Sequence, residues 1–258
     1  MGEEMTGFYD SHVHNDYFPH WAERPVPERY RRITRIIQYI RPSPIRSALE
    51  IGSESPAIPT FWSHELGLSP DECTVIDVST RVTDVIKKSG FRVITRDISR
   101  EPLDNSLKGI DLVLMCEVLE HLIDPDYAIR AIRGALAQDG MLILTTPNLA
   151  SWANRLQLLL GFQPLSTETG TEFVFGRGPW MKVTRPVGHL QLFTLRSLTE
   201  FLNYHGLKII HVEGLPFGEE AVPRMVLKGL DRVMSRLPSL ASGLLVVASP
   251  QTDQPRHE

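Results

Sequence analysis

The chain has 258 residues, 42% of them apolar and 22% charged, with a net charge of −4. That size suits one large domain, or one domain with an inserted cap. The charge balance supplies no global basic field for nucleic acid or an anionic membrane. No apolar run approaches the ~20 residues that cross a bilayer. Cys73 and Cys116 sit in apolar runs at a spacing that fits neither a disulfide framework nor a zinc site, so a reducing, cytoplasmic compartment is expected.

Residues 1–25 are polar and aromatic without a clean period, and they open on an acidic Met1-Gly2-Glu3-Glu4 unlike a secretory signal. Asp10-Ser11-His12-Val13-His14 resembles the His-x-His opening of metal-dependent amidohydrolases, but Met5–Tyr9 makes a poor strand and the later ligands are missing. The segment is therefore read as a lead-in. Tyr30, Ile33, Ile37 and Ile40 form one stripe of a helix over 27–41, stopped by Pro42. Seven arginines between Arg24 and Arg46 read as its solvated face, with an anionic or RNA landing site as the sharper alternative.

From Ser47 the pattern alternates. Strands are expected near 47–51, 73–78, 91–97, 111–117 and 141–146, and helices near 58–66, 81–89 and 124–137. Such alternation argues for a parallel α/β sheet with helices on both faces. The 124–137 helix carries Asp124 as N-cap and Pro125 at N1, with Gly140 just beyond its end. A short apolar helix is expected at 151–160, then an irregular stretch from Gly161 to Gly188, the length of which suggests a lid. Thr194–Gly206 reads as a capped helix, Lys208–Glu213 as a strand, 219–237 as an amphipathic helix and Leu244–Ala248 as a last strand.

Two constellations carry chemistry. Ser47 to Ser55 is an apolar run that ends in Glu50-Ile51-Gly52 and then turns polar, as a buried strand does when it delivers its carboxyl end to a ligand crevice. The next run, Cys73–Ile76, ends in Asp77, where an acid can hold the two hydroxyls of a ribose. The second constellation is Glu117-x-x-Glu120-His121 after a strand, with His189 far downstream. Either histidine can serve as a general base, the group can hold a metal, or Glu120 and His121 can cap the helix that follows.

These motifs resemble class I S-adenosylmethionine-dependent methyltransferases of the type 11/23 kind, over roughly residues 45–249. Glu50-Ile51-Gly52 is similar to that family's first motif, Val75–Ser79 to its ribose-binding strand end, and Arg96-Asp97-Ile98 to its adenine-facing acid. Asp111–His121 and Leu142–Asn148 are similar to its fourth and fifth strand motifs. Gly188–Thr194 is similar to the segment entering its late helix. The resemblance implies a three-layer Rossmann-like sandwich with a seven-stranded, mostly parallel sheet and an antiparallel last strand. Its domain would span 45–249, with an inserted lid at 150–190, a covering extension at 1–44 and a polar tail at 250–258.

The resemblance also implies S-adenosylmethionine held by Glu50, Gly52, Asp77, Val78, Asp97 and Ile98, with Glu117, His121 and His189 as catalytic groups. One departure stands out: Glu54 and Pro56 occupy positions that are glycines in the family's first motif. A Glu54 carboxylate can pair with the cofactor's amino group or clash with its carboxylate. The Glu-x-x-Glu-His pattern with a distant histidine is similar to the metal site of small-RNA 2′-O-methyltransferases and some ubiquinone-pathway O-methyltransferases, which would make a magnesium or manganese ion a cofactor. The expected function is O-methylation of a small-molecule acceptor such as a lipid quinol, sugar or phenol. A non-catalytic methyltransferase-like scaffold and an RNA 2′-O-methyltransferase are the alternatives. Trp152, Phe173, Phe175 and Trp180 are the aromatic candidates for the lid.

Overall fold

The structure is a computed structural model, and it describes residues 25–40, 44–53, 55–179, 185–216 and 225–251. His12, His14, Pro42, Glu54, Trp180 and Pro223 lie outside the described residues. Seven strands form one sheet in the order β3-β2-β1-β4-β5-β7-β6. In chain order they are β1 (Ala48–Ile51), β2 (Cys73–Asp77), β3 (Arg92–Thr95), β4 (Ile110–Cys116), β5 (Leu136–Pro147), β6 (Leu207–Leu215) and β7 (Gly243–Pro250). β1 runs parallel to both β2 and β4, and β2 runs parallel to β3. β6 and β7 are antiparallel, with an irregularity in register between Ile209 and His211. This is the expected α/β sandwich with its reversed last strand.

The described helices are α1 (Glu28–Ile40), α2 (Ala57–Leu66), α3 (Thr80–Lys87), α4 (Pro125–Ala135), α5 (Trp152–Leu159), α6 (Leu195–Tyr204) and α7 (Met225–Met234). Their starts follow local chemistry. Ser79 Oγ accepts from Val82 N at 3.2 Å to open α3, Ser151 Oγ accepts from Asn154 N to open α5, and Thr194 and Ser197 form a reciprocal capping box on α6. Tyr30, Ile33, Ile36 and Ile37 give α1 its buried stripe. β1 is buried along its whole length, as a strand covered on both faces should be.

The fourth helix differs from its expected bounds. It stops at Ala135 and β5 begins at once with Leu136, well before residue 141. Gly140 is therefore no helix terminator. It lies inside the strand, where an added Cβ would come within 2.7 Å of the Ile110 carbonyl oxygen. The glycine is there because neighbouring backbone approaches closely.

Packing divides the chain into two compact units. The first contains the described residues up to Cys116 together with Asp126–Ile143; the second contains Glu117–Pro125 and Leu144–Gln251. Both cysteines are buried and neither forms a disulfide. Burial pushes the Cys73 thiol up to about 12, so it acts as a small apolar residue.

Candidate functional site

In the first unit the strand ends carry the expected acids. Gly52 follows β1 with φ 71° and donates its N–H to the Ile76 carbonyl at 2.8 Å, a turn that a residue with a Cβ enters only under strain. That turn brings the Ser53 amide onto Asp77 Oδ2 at 3.0 Å, while the Ser79 amide donates to Asp77 Oδ1 at 2.8 Å. Two backbone donors fix the position of the carboxylate. Asp97, after β3, is held the same way: Oδ1 accepts from the Ser99 amide at 3.0 Å and from its hydroxyl at 2.5 Å, and Arg100 lies 3.8 Å from Oδ2. Val78 is half-buried and Ile98 buried. Residues 77–79 and 97–99 thus share one device, an acid whose oxygen accepts from the amide two residues on.

Glu50 is different. It is wholly buried, and both carboxylate oxygens accept from the chain's own aromatic side chains. Tyr30 Oη lies 2.9 Å from Oε1 and Trp62 Nε1 lies 3.0 Å from Oε2. The acid therefore ties α1 and α2 to β1. Sequence reasoning missed this pair of donors. The available signal was a buried acid beside two helices that each carry one aromatic with a polar tip on the inward face.

The second unit holds the other constellation. Glu117, just past β4, is the one residue other than glycine with positive φ (55°) among the described residues. Such a conformation costs about 1–2 kcal/mol. It is held by two bonds to one residue: the Glu117 amide donates to the Thr145 carbonyl at 3.0 Å, and Thr145 Oγ1 donates to Glu117 Oε1 at 2.7 Å. Retained strain of this kind is typical where a side chain is aimed for a task. The following 3-10 turn, Leu119–His121, buries Glu120, whose Oε2 accepts from Thr146 Oγ1 at 3.1 Å. The Glu120 carbonyl in turn accepts from the amides of Leu190 and Gln191, at 2.7 and 3.0 Å.

Those backbone bonds bring His189 beside His121, ring centroids 4.9 Å apart. Ligand atoms of Glu120, His121 and His189 all lie within 4.8 Å of one another. Glu117 is not in that group. His121 Nδ1 meets the Gly188 carbonyl at 3.0 Å and His189 Nδ1 meets the Ser166 carbonyl at 2.9 Å. A carbonyl only accepts, so each Nδ1 carries the proton and each Nε2 is the lone-pair nitrogen of the neutral ring. Burial, then the neighbouring His189, pushes His121 down to about 4. A divalent ion would fit this set: two imidazoles oriented by backbone carbonyls plus one carboxylate. The two nitrogens suit manganese better than magnesium, which prefers oxygen.

The irregular stretch is bound together by its own polar groups. Glu168 accepts from the amides of Val187 and Gly188, at 2.7 and 2.9 Å, and sits 3.9 Å from His189 Nδ1. Arg177 donates to the carbonyls of Leu165 and Thr167, and burial pulls its guanidinium below its ordinary value. Asn154 Oδ1 accepts from Leu165 N at 2.7 Å. Glu168 was not singled out from the sequence, although it orders the residues next to His189. Of the aromatics expected to line a lid, Phe173 and Phe175 are exposed and pair at 5.1 Å, while Trp152 donates through Nε1 to Asp231 of α7 at 2.9 Å. Asn148 lies just past the end of β5. Its side chain donates to the carbonyls of Pro238, Ser239 and Ala241, which fixes the turn before β7.

Residues 23–212 match the family described as a methyltransferase domain. No curated protein sequence matches the chain. Among solved structures the chain is similar to the CcbJ methyltransferase of Streptomyces caelestis, with 13% identity over 97% of this chain and 98% of that one and a TM-score of 0.59. It is similar to 1,6-didemethyltoxoflavin-N1-methyltransferase of Burkholderia thailandensis, solved with its substrate and S-adenosylhomocysteine, with 12% identity over 97% and 87% and a TM-score of 0.55. It is also similar to the methyltransferase partner in the Haloferax volcanii Trm112 complex, with 11% identity over 89% and 92% and a TM-score of 0.59. At these identities the likeness shows the fold.

Proposed function

The chain belongs to the class I S-adenosylmethionine-dependent methyltransferases, and from that premise we propose that it transfers the methyl group of S-adenosylmethionine to a hydroxyl oxygen of a small-molecule acceptor. The observation that carries the oxygen acceptor is the grouping of Glu120, His121 and His189 with both Nδ1 protons assigned to backbone carbonyls. Support for a small acceptor comes from the toxoflavin-precursor methyltransferase, whose fold this chain shares.

Methyl transfer is an in-line displacement at carbon, and the sulfonium loses its charge as the bond breaks. The protein must align the two reactants, exclude water and deal with the hydroxyl proton. Asp77 would grip the ribose, Asp97 and Ile98 the adenine, and Gly52 and Val78 would bound the nucleoside. Glu50 would act through position, because its oxygens are already engaged by Tyr30 and Trp62. His121, His189 and Glu120 would hold the ion, and Glu117 would meet the acceptor. A divalent ion there would lower the hydroxyl pKa and fix its oxygen. His121 Nε2 is a weak proton acceptor once burial has pulled its pKa to about 4, which favours a ligand role over a general-base role.

The test is production of S-adenosylhomocysteine by the full chain from S-adenosylmethionine, across catechols, phenols and sugars, with manganese and with chelator. Manganese-dependent product on a hydroxyl acceptor is expected. Turnover only on amines, or turnover indifferent to chelator, would overturn the oxygen and metal parts. Absence of cofactor binding would leave the scaffold reading.

A further inference from the structure

We propose that α5 and α7 form a docking surface for an anionic lipid bilayer. Both helices belong to the second unit and they are joined directly: Trp152 N donates to the Leu240 carbonyl, Trp152 Nε1 donates to Asp231, and Arg155 reaches the Ser239 carbonyl at 3.5 Å. Their outer sides are unusually apolar. Leu156, Leu158, Leu159 and Leu160 are exposed on α5 and just past its end, Leu159 by 82%. Leu230 and Val233 are exposed on α7, as is Leu237 in the turn that follows. The spacing places Leu156 and Leu159 on the stripe that carries Trp152 toward α7.

The charges on these two segments are of one sign wherever they meet solvent. Within 151–162 and 228–240 the charged residues are Arg155, Lys228, Asp231, Arg232 and Arg236. The four cations are exposed. Asp231 is only 2% exposed and accepts from Trp152 and from Ser242 Oγ, the latter at 2.6 Å. Along α7 and the turn that follows it, Lys228, Arg232 and Arg236 succeed one another at spacings of four, while Leu230, Val233 and Leu237 succeed one another at spacings of three and four. An apolar stripe flanked by a cationic one is the layout of a helix lying in a membrane interface, and it stands out in a chain of net charge −4.

Two features favour a bilayer over other occupants. Leu158, Leu159 and Leu160 point about 100° apart around the helix end, so they encircle a tip and do not form one flat face. A fluid layer of acyl chains solvates such a tip from every side; a folded partner covers one side. A second copy would bring the same four cations together, whereas anionic headgroups neutralise them. The described residues contain no helix long and apolar enough to cross a membrane, so the contact would be superficial.

The proposal is independent of methyl transfer, and its test reads binding alone. The full chain is floated with phosphatidylcholine vesicles and with vesicles carrying about 30% phosphatidylglycerol, at low and high salt. Flotation with the anionic vesicles alone is expected, weakening as salt rises. The L159E/L160E variant should lose at least about tenfold in binding, and R232E/R236E should lose a similar amount, with unchanged melting temperatures because the positions are exposed. A native chain that stays in the soluble fraction with anionic vesicles overturns the proposal. So does a leucine variant that floats like the native chain, or a native dimer that the leucine variant makes monomeric without any vesicle binding.

Discussion

The two functional regions are built by opposite means. In the first unit, Asp77 and Asp97 each accept from the amide two residues downstream, and the Ser53 amide, just past the end of the neighbouring strand β1, adds a second bond to Asp77. Each acid thus has a local donor at its own strand end, and the one distant donor, Ser53, belongs to a strand paired directly with β2. In the second unit, His121 takes its orientation from a carbonyl 67 residues away, and His189 from one 23 residues away. Glu120 makes the connection through its backbone carbonyl, which receives Leu190 and Gln191. The proposed nucleoside-binding edge is thus written into strand ends, while the proposed acceptor-side cluster depends on how a long irregular stretch is tied down.

The largest expected effect breaks the local half. Asp77→Ala should weaken S-adenosylmethionine binding about 100-fold by calorimetry, since a charged acceptor and its ordered amides are lost together. Retention of native affinity would mean that the carboxylate only braces the turn. Next in size, His189→Ala should reduce manganese-supported turnover at least about tenfold while leaving cofactor affinity within about twofold. An equal fall in both would contradict the division of labour between the two regions.

Acidity separates the regions further. His121 has its folded pKa pushed down to about 4, below its unfolded value, so protonation favours the unfolded chain. Its contribution is full above the unfolded value near 6.5 and is lost as pH falls toward 4, amounting to about 2 kcal/mol by pH 5. Denaturant melts of the native chain and of His121→Gln between pH 7 and 5 should therefore converge; parallel curves would contradict the shift. The smallest effect belongs to the buried acid of β1. Tyr30→Phe should cost about 1–2 kcal/mol of stability, because it leaves a buried carboxylate oxygen with one donor fewer, and should change cofactor affinity little. A large loss of affinity would make Glu50 a direct cofactor ligand.

Legibility in the sequence followed the same split. β1, β2 and β4 announce themselves because strands buried on both faces read as mostly apolar runs, and their ends are marked by Gly52, Asp77 and Glu117. The Glu-x-x-Glu-His spacing also showed in the sequence, and it predicted the meeting of Glu120 with His121. What placed His189 with them did not show, since Glu168 and the Ser166 carbonyl act through an irregular stretch that carries no period. The end of α4 was misread because Gly140 serves a close backbone approach, which looks identical in sequence to a helix terminator. The Tyr30–Glu50–Trp62 link was hidden because each aromatic also suits a plain apolar stripe.

Calorimetric titration of the full chain with S-adenosylmethionine, beside its Asp77→Ala variant, decides whether the strand ends of the first unit hold the cofactor. Saturable binding by the native chain that the variant loses is the predicted result. No heat from the native chain at about 1 mM cofactor, a concentration that reveals even weak binding, would contradict it.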